Sequence, residues 1–302
     1  MDAAGDPNHV APARPGTTVR VAVRRYGADP GERTDEVATE EPLEIRVSNP
    51  DDEIATPVSV TMRTPGHDFE LAAGFVLSEG IATRPEEIRG LRYCTLPDEA
   101  QQFNVVNVDL RGPAPIDLDR FRRNIYTASS CGICGRATLD RVRLRGLAAP
   151  PKDVRFAEEM LRSIPARVAE QQPIFARTGG VHATALLAPD GRVRLVREDV
   201  GRHNAFDKVV GALALEGSLP AHRSAAFVSG RPGFELVQKA VVAGIPLVAG
   251  VGAPTHLAVD LAREFDVTLV GFLRPTSFNV YAVPERIVER AAAVAPGLPP
   301  GE

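Results

Sequence analysis

The residues best suited to chemistry in this 302-residue chain are Cys131 and Cys134, separated by two residues within Ser129-Ser130-Cys131-Gly132-Ile133-Cys134-Gly135. That spacing fits a redox pair, half of a zinc site, or a nucleophilic thiol with a neighbour. Zinc is disfavoured. With Cys94 as the only other cysteine there is no four-cysteine set, and the six histidines show no paired ligand spacing. No intrinsic metal is therefore expected. A zinc deaminase would need H-x-E and P-C-x-x-C. Here His203 is followed by Asn204 and Ala205, and the cysteine pair precedes that histidine and lacks the proline. Thioredoxin-like exchange places its pair at a helix start, where Gly132 and Gly135 are poor helix formers. What is left is a reactive thiol in a loop. Seven arginines against two acids lie between Asp119 and Arg145. With the Ser129 and Ser130 hydroxyls, these favour the thiolate form of Cys131. A thiolate there can attack the outer sulfur of a persulfide.

A second set of polar residues is Arg197-Glu198-Asp199-Val200-Gly201-Arg202-His203-Asn204-Ala205-Phe206-Asp207-Lys208, too charged for an ordinary strand-to-helix connection. Gly201 suits a sharp turn, and Asn204 can cap the helix that follows. Arg202 and His203, just ahead of a helix start, are placed to meet an anion. Arg177-Thr178-Gly179-Gly180-Val181-His182 reads as a tight turn entering a strand. Gly250-x-Gly252 lacks the third glycine and the downstream acid of a dinucleotide fingerprint, so no bound NAD is expected.

The elements that must position these residues follow from hydrophobic period. Alternation in Val19-Val21-Val23, Leu43-Ile45-Val47 and Val58-Val60-Met62 predicts strands, and Asp68–Glu79 predicts a helix stopped by Gly80. Phe103–Leu110 predicts another strand. Residues 17–115 therefore read as a small α+β domain with a mainly antiparallel sheet, after a disordered tail over 1–16. Residues 116–152 read as a cysteine-bearing loop and linker. From 153 to 302 the pattern becomes a helix over Phe156–Ile164, a hairpin around Pro189-Asp190-Gly191, and then alternation. Helices are expected over Asn204–Glu216, Phe234–Val242 and Pro254–Phe265, and strands over Ala225–Val228, Pro246–Ala249 and Val267–Leu273. Short apolar strands between helices predict an α/β domain with a mostly parallel sheet buried on both faces. Ligands of such sheets collect at the carboxyl ends of the strands. Those ends carry Ser229-Gly230-Arg231, Gly250-Val251-Gly252-Ala253-Pro254-Thr255 and Arg274-Pro275-Thr276-Ser277, with small residues and arginines suited to a phosphorylated ligand.

Composition narrows the class. The net charge of −4, from 35 basic and 39 acidic residues, gives no drive toward nucleic acid or anionic membrane. An apolar fraction of 44% without a run of about 18 apolar residues gives no expectation of a membrane span. The first residues have neither the basic nor the apolar region of a secretory signal, so a cytoplasmic location with reduced thiols is expected.

Taken in order, Ser-Ser-Cys-Gly-Ile-Cys-Gly, Glu-Asp-Val-Gly-Arg-His-Asn-Ala-Phe-Asp-Lys, Ser-Gly-Arg with Phe-Glu-Leu-Val-Gln-Lys-Ala, and Thr-Leu-Val-Gly-Phe-Leu-Arg through Phe-Asn-Val-Tyr resemble the FdhD family of formate dehydrogenase accessory sulfurtransferases. The resemblance spans about Val19 to Tyr281. It implies a maturation factor that accepts persulfide sulfur from a cysteine desulfurase. The sulfur would pass to the molybdenum bis(molybdopterin guanine dinucleotide) cofactor destined for formate dehydrogenase. By the same match Cys131 carries the persulfide and Cys134 supports it. Phe272, Leu273, Arg274, Pro275, Thr276 and Ser277 fall on the cofactor-binding stretch, and the second domain is expected to be cytidine-deaminase-like. Two positions depart from the family pattern: serines are expected near Gly233 and at Gly252. A homodimer is expected. The alternative reading is a chaperone that binds the cofactor without carrying sulfur.

Overall fold

The computed structural model describes residues 14–94, 103–118, 147 and 149–289. Cys131, Cys134 and most of the expected linker lie outside the described residues. The first strands, β1 (Thr18–Arg25) and β2 (Gly31–Ala38), form a two-stranded antiparallel ribbon with Val19 opposite Val37. Next come β3 (Glu41–Ser48), β4 (Thr56–Arg63), helix α1 (Asp68–Glu79), β5 (Ile88–Tyr93) and β6 (Val105–Leu110). They build a four-stranded sheet in the order β4-β3-β6-β5, antiparallel except where β3 runs alongside β6. One face takes α1, whose Leu71, Ala72 and Val76 bury against Leu43, Ile45, Val106 and Val108. Gly80 ends that helix in a left-handed conformation, φ 77°, and its N–H returns to Leu77 and Val76.

The second half contains β7 (Phe156–Ala157), α2 (Glu158–Ala169), α3 (Pro173–Thr178), β8 (His182–Leu187), β9 (Val193–Asp199) and α4 (Arg202–Leu215). There follow β10 (Ala225–Val228), α5 (Phe234–Val242), β11 (Leu247–Gly250), α6 (His256–Glu264), β12 (Thr268–Gly271), β13 (Asn279–Ala282) and β14 (Ile287–Val288). Where a helix over Phe156–Ile164 was expected, the chain first makes β7. The helix α2 then runs past Pro165 to Ala169, because Met160, Leu161, Ile164 and Val168 form one buried stripe.

The six-stranded sheet has the order β13-β12-β11-β10-β8-β9. Only β10, β11 and β12 run parallel to one another, so the expected mostly parallel sheet is in fact mixed. The reason is local. A tight turn at Asp190-Gly191 can join β8 to β9 only as an antiparallel hairpin, and the short return after β12 does the same for β13. The sheet is covered on both faces. Phe206, Val210, Leu236 and Leu261 pack on one side, and Leu161, Ile164 and Val168 pack on the other. Hence β10, β11 and β12 read as unbroken apolar runs, with every residue buried.

The two sheets meet through α1 and α4. At their crossing, a Cβ on Gly74 would stand 1.9 Å from the Asp207 carbonyl oxygen, and one on Gly211 would stand 1.8 Å from that of Glu70. Backbone touches backbone there, and no rotamer change can make room for a methyl group. Overpacking of this kind costs about 3 kcal/mol. Gly74→Ala and Gly211→Ala should each lower the thermal unfolding midpoint sharply, and an unchanged midpoint in calorimetry would contradict the crossing.

Candidate functional site

Parallel pairing of β10, β11 and β12 and antiparallel pairing of β8 and β9 bring five chain segments to one edge of the six-stranded sheet. The strands β10, β11 and β12 end there, β9 ends there at Asp199, and β8 starts there at His182. The loops after the parallel strands are stitched together. The Gly252 N–H donates to the Gly230 carbonyl at 3.0 Å, Phe272 N–H to Gly252 at 3.1 Å, and Leu273 N–H to Gly250 at 3.0 Å. The glycines here keep room for neighbours. A Cβ on Gly250 would stand 2.4 Å from Pro232 Cδ, and one on Gly252 would stand 2.6 Å from Arg231 Cγ. Gly250 and Gly252 thus have a packing role.

Within the expected cofactor stretch, Phe272 adopts φ 53°, which is unusual for a bulky side chain, and the residue is 44% exposed. Leu273 points the other way, into the core beside Val270, so only its backbone faces the edge. Arg274 donates from Nη1 to the Val251 carbonyl at 2.8 Å, and its N–H reaches the Ser277 carbonyl at 2.9 Å. This closes a turn on which Pro275, Thr276 and Ser277 are exposed.

At the β8 side of the same edge lies a cleft of about 410 Å³ lined by Gln172, Phe175, Gly180, His182, Val200 and Ser229 among others. Ser229 Oγ accepts the Ala183 N–H at 3.0 Å, which fixes the loop that follows β10. Burial, then Arg202 and His203, hold the His182 imidazole below its ordinary range. Gln172 and Phe175 carry no sequence signal of a site, since a glutamine before a short helix and an exposed phenylalanine within it look like ordinary surface. The Arg177–His182 segment, read from the sequence as a tight turn entering a strand, forms part of this rim, with Gly179 in a left-handed conformation at φ 63°.

The charged Glu198–Lys208 segment proves mainly to be a fastening. Glu198 accepts the N–H groups of Ile174 and Phe175 at 3.0 and 2.8 Å, satisfying the start of α3. Asp199 is fully buried. Its carboxylate meets Lys208 Nζ at 2.7 Å and accepts from Gly201 N–H, Asn204 Nδ2 and Thr64 N–H. Burial pushes its carboxyl upward, and Lys208 with the other donors opposes that. Lys208 also donates to the carbonyls of Thr64 and Glu198. Asn204 was expected to cap α4. Instead Gly201 stands at the cap, and Asn204 Nδ2 donates to the Met62 carbonyl of β4 at 2.8 Å. The competing bond to the other sheet wins because Asn204 is buried between the halves and must be satisfied there.

Two further ion pairs lie at the same junction. Asp207 meets Lys239 at 2.8 Å and accepts the Ser78 hydroxyl, joining α1, α4 and α5. Glu70 meets Arg197 at 2.5 and 2.8 Å. Despite partial burial, Arg197 and His67 hold its carboxyl down at about 2. Among the described residues no group of three or more metal-ligating side chains is found, and no helix is long and apolar enough to cross a membrane. The described cysteine, Cys94, belongs to the N-terminal sheet, where its N–H donates to Val105.

Removing one partner of a buried pair leaves the other uncompensated, at a cost of about 3–5 kcal/mol. Lys208→Met should therefore destabilise the chain far more than the exposed change Arg192→Met. Equal unfolding midpoints for the two variants would show that Asp199 does not depend on its lysine.

Comparison with known proteins agrees with this architecture. The model of the FdhD/NarQ family matches residues 38–288. A Streptomyces avermitilis protein named sulfur carrier protein FdhD is 49% identical over 265 residues, covering 86% of this chain and 92% of that protein. Its namesake from Mycobacterium tuberculosis is 46% identical over 278 residues, covering 89% and 98%. A crystal structure from Desulfotalea psychrophila, described as a formate dehydrogenase accessory protein, superposes with a TM-score of 0.70 at 25% identity. It covers 90% of this chain and 100% of its own. By sequence over most of its length and by fold, the chain belongs to the FdhD/NarQ family.

Proposed function

We propose that this protein is a sulfur carrier in the maturation of formate dehydrogenase, with Cys131 as the carrying atom. The observation that supports it most is the convergence of the strand-end loops, Phe272–Ser277 included, on one edge of the sheet in a chain whose relatives are named sulfur carriers. The Cys131 thiolate attacks the outer sulfur of a persulfide on a cysteine desulfurase. The S–S bond to the donor breaks, the donor cysteine leaves as a thiolate, and Cys131 holds the sulfur as its own persulfide. No net oxidation occurs. Cys134 supports that state.

The molybdenum bis(molybdopterin guanine dinucleotide) cofactor is the acceptor, bound as cargo. Arg231 and Arg274 suit its diphosphates by bidentate pairing, and the exposed Phe272 ring offers a flat apolar face. The second half reads as cytidine-deaminase-like, supported by its hairpin followed by alternating helices and strands. We place the protein in the cytoplasm as a homodimer, with the desulfurase and formate dehydrogenase as transient partners. Exposed Val60 and Met62 on the sheet-edge strand β4 are compatible with such contacts.

A chaperone that only shields the cofactor would need the same strand ends and no thiol. Formate dehydrogenase produced without this protein and then activated by purified variants separates the two. Cys131→Ala should activate at least about a hundredfold less than wild type, as expected for loss of a nucleophile. Cys134→Ala should retain part of the activity. Full activation by Cys131→Ala would contradict sulfur carriage and establish the chaperone.

A further inference from the structure

One carboxylate at the ligand edge has no part in the fastenings described above. Glu235, in the first turn of α5, is partly exposed and lies 2.7 Å from Nε2 of His203, in the first turn of α4. That bond to His203 holds the Glu235 carboxyl below its ordinary range against its burial, and Lys239 and Arg202 act in the same direction. Around the pair stand Arg202 on the same helix, His182 at the start of β8, and the Ser229-Gly230-Arg231 loop that leads into α5. His182 lies against that loop, with Nδ1 3.7 Å from the Cβ position of Gly230.

A carboxylate bound to one imidazole nitrogen fixes the rotation of the ring and turns the other nitrogen away from itself. For His203 Nδ1, no partner is found among the described residues. The ring is a quarter exposed, enough to be reached from solvent. By contrast, the Asp199, Asp207 and Glu70 pairs tie secondary elements together at buried or half-buried positions and leave no such free face. We propose that Glu235 is a positioning residue that holds His203 so that its Nδ1 edge, beside Arg202, meets the anionic part of the ligand bound at the strand ends. This rests on the strand-end reading of the function and adds the β9–α4 turn to that site. It also gives a purpose to the rigid turn built around Asp199, because that turn is what carries Arg202 and His203.

A plain clip between α4 and α5 would show the same distance, so the test must follow the ring itself. Inorganic pyrophosphate, as a probe of the diphosphate class, is titrated into the full chain. Calorimetry gives the affinity, and the nitrogen-correlated spectrum of the histidine rings, assigned with His203→Gln, reports contact. Wild type should bind, and the His203 ring signals should shift on binding. Glu235→Ala should weaken binding about tenfold at an unchanged unfolding midpoint, the scale of one lost charge-assisted contact. Glu235→Gln, which keeps an acceptor for Nε2–H, should recover most of that loss. Binding that Arg274→Ala weakens but that leaves the His203 signals still, or that Glu235→Ala does not alter, would overturn the positioning role and leave the strand-end reading intact. No pyrophosphate binding to wild type would overturn both.

Discussion

Asp199 has no exposure to solvent, and its carboxylate is shared among Lys208, Gly201, Asn204 and Thr64. An isolated buried carboxylate would be costly, so each of those partners is held where the charge needs it. Met62 lies at the end of β4 in the first sheet and Thr64 directly follows that strand, whereas Lys208 and Asn204 belong to α4 on the second. The same charge therefore closes the junction and shapes the turn from which Arg202 and His203 project.

The α1–α4 crossing makes that closure possible. With Gly74 and Gly211 at the contact, the helix backbones approach closely enough for Ser78 on α1 to reach Asp207 on α4, which in turn holds Lys239 on α5. Because α5 follows directly on the loop after β10, this chain of contacts links the first sheet to the ligand edge of the second. Buried pairs of this sort contribute little net stability but strongly penalise alternative arrangements. They suit a protein whose ligand loops come from five separate segments and must keep one geometry.

Much of this was legible in the sequence, for physical reasons that differ by element. The helix Asp68–Glu79 was found to the residue because its apolar face and its terminal Gly80 agree. The strands Ala225–Val228 and Phe234–Val242 helix were likewise plain, since a two-sided buried sheet leaves unbroken apolar runs. The β8–β9 hairpin was read from Pro189-Asp190-Gly191, but the antiparallel pairing of β8 with β10 and of β13 with β12 was missed, because strand alternation carries no information on the orientation of separate strands. Asn204 was assigned to a cap because cap chemistry is local, whereas its actual partners on β4 lie more than 140 positions earlier in the chain. The strand ends were located from topology, yet Leu273 within them proved to face the core. The roles of Gly74 and Gly211 had no sequence signal at all, since a helical glycine looks the same whether it is tolerated or required.

Sulfur on Cys131 is the claim on which the functional account turns. The most direct measurement is the mass of the proteolytic peptide containing Ser129–Gly135 after incubation of the intact protein with a cysteine desulfurase and cysteine. The account predicts a gain of one sulfur atom at Cys131, removed by reductant and retained when Cys134 is replaced by alanine. An unmodified peptide in the presence of an active desulfurase would contradict it.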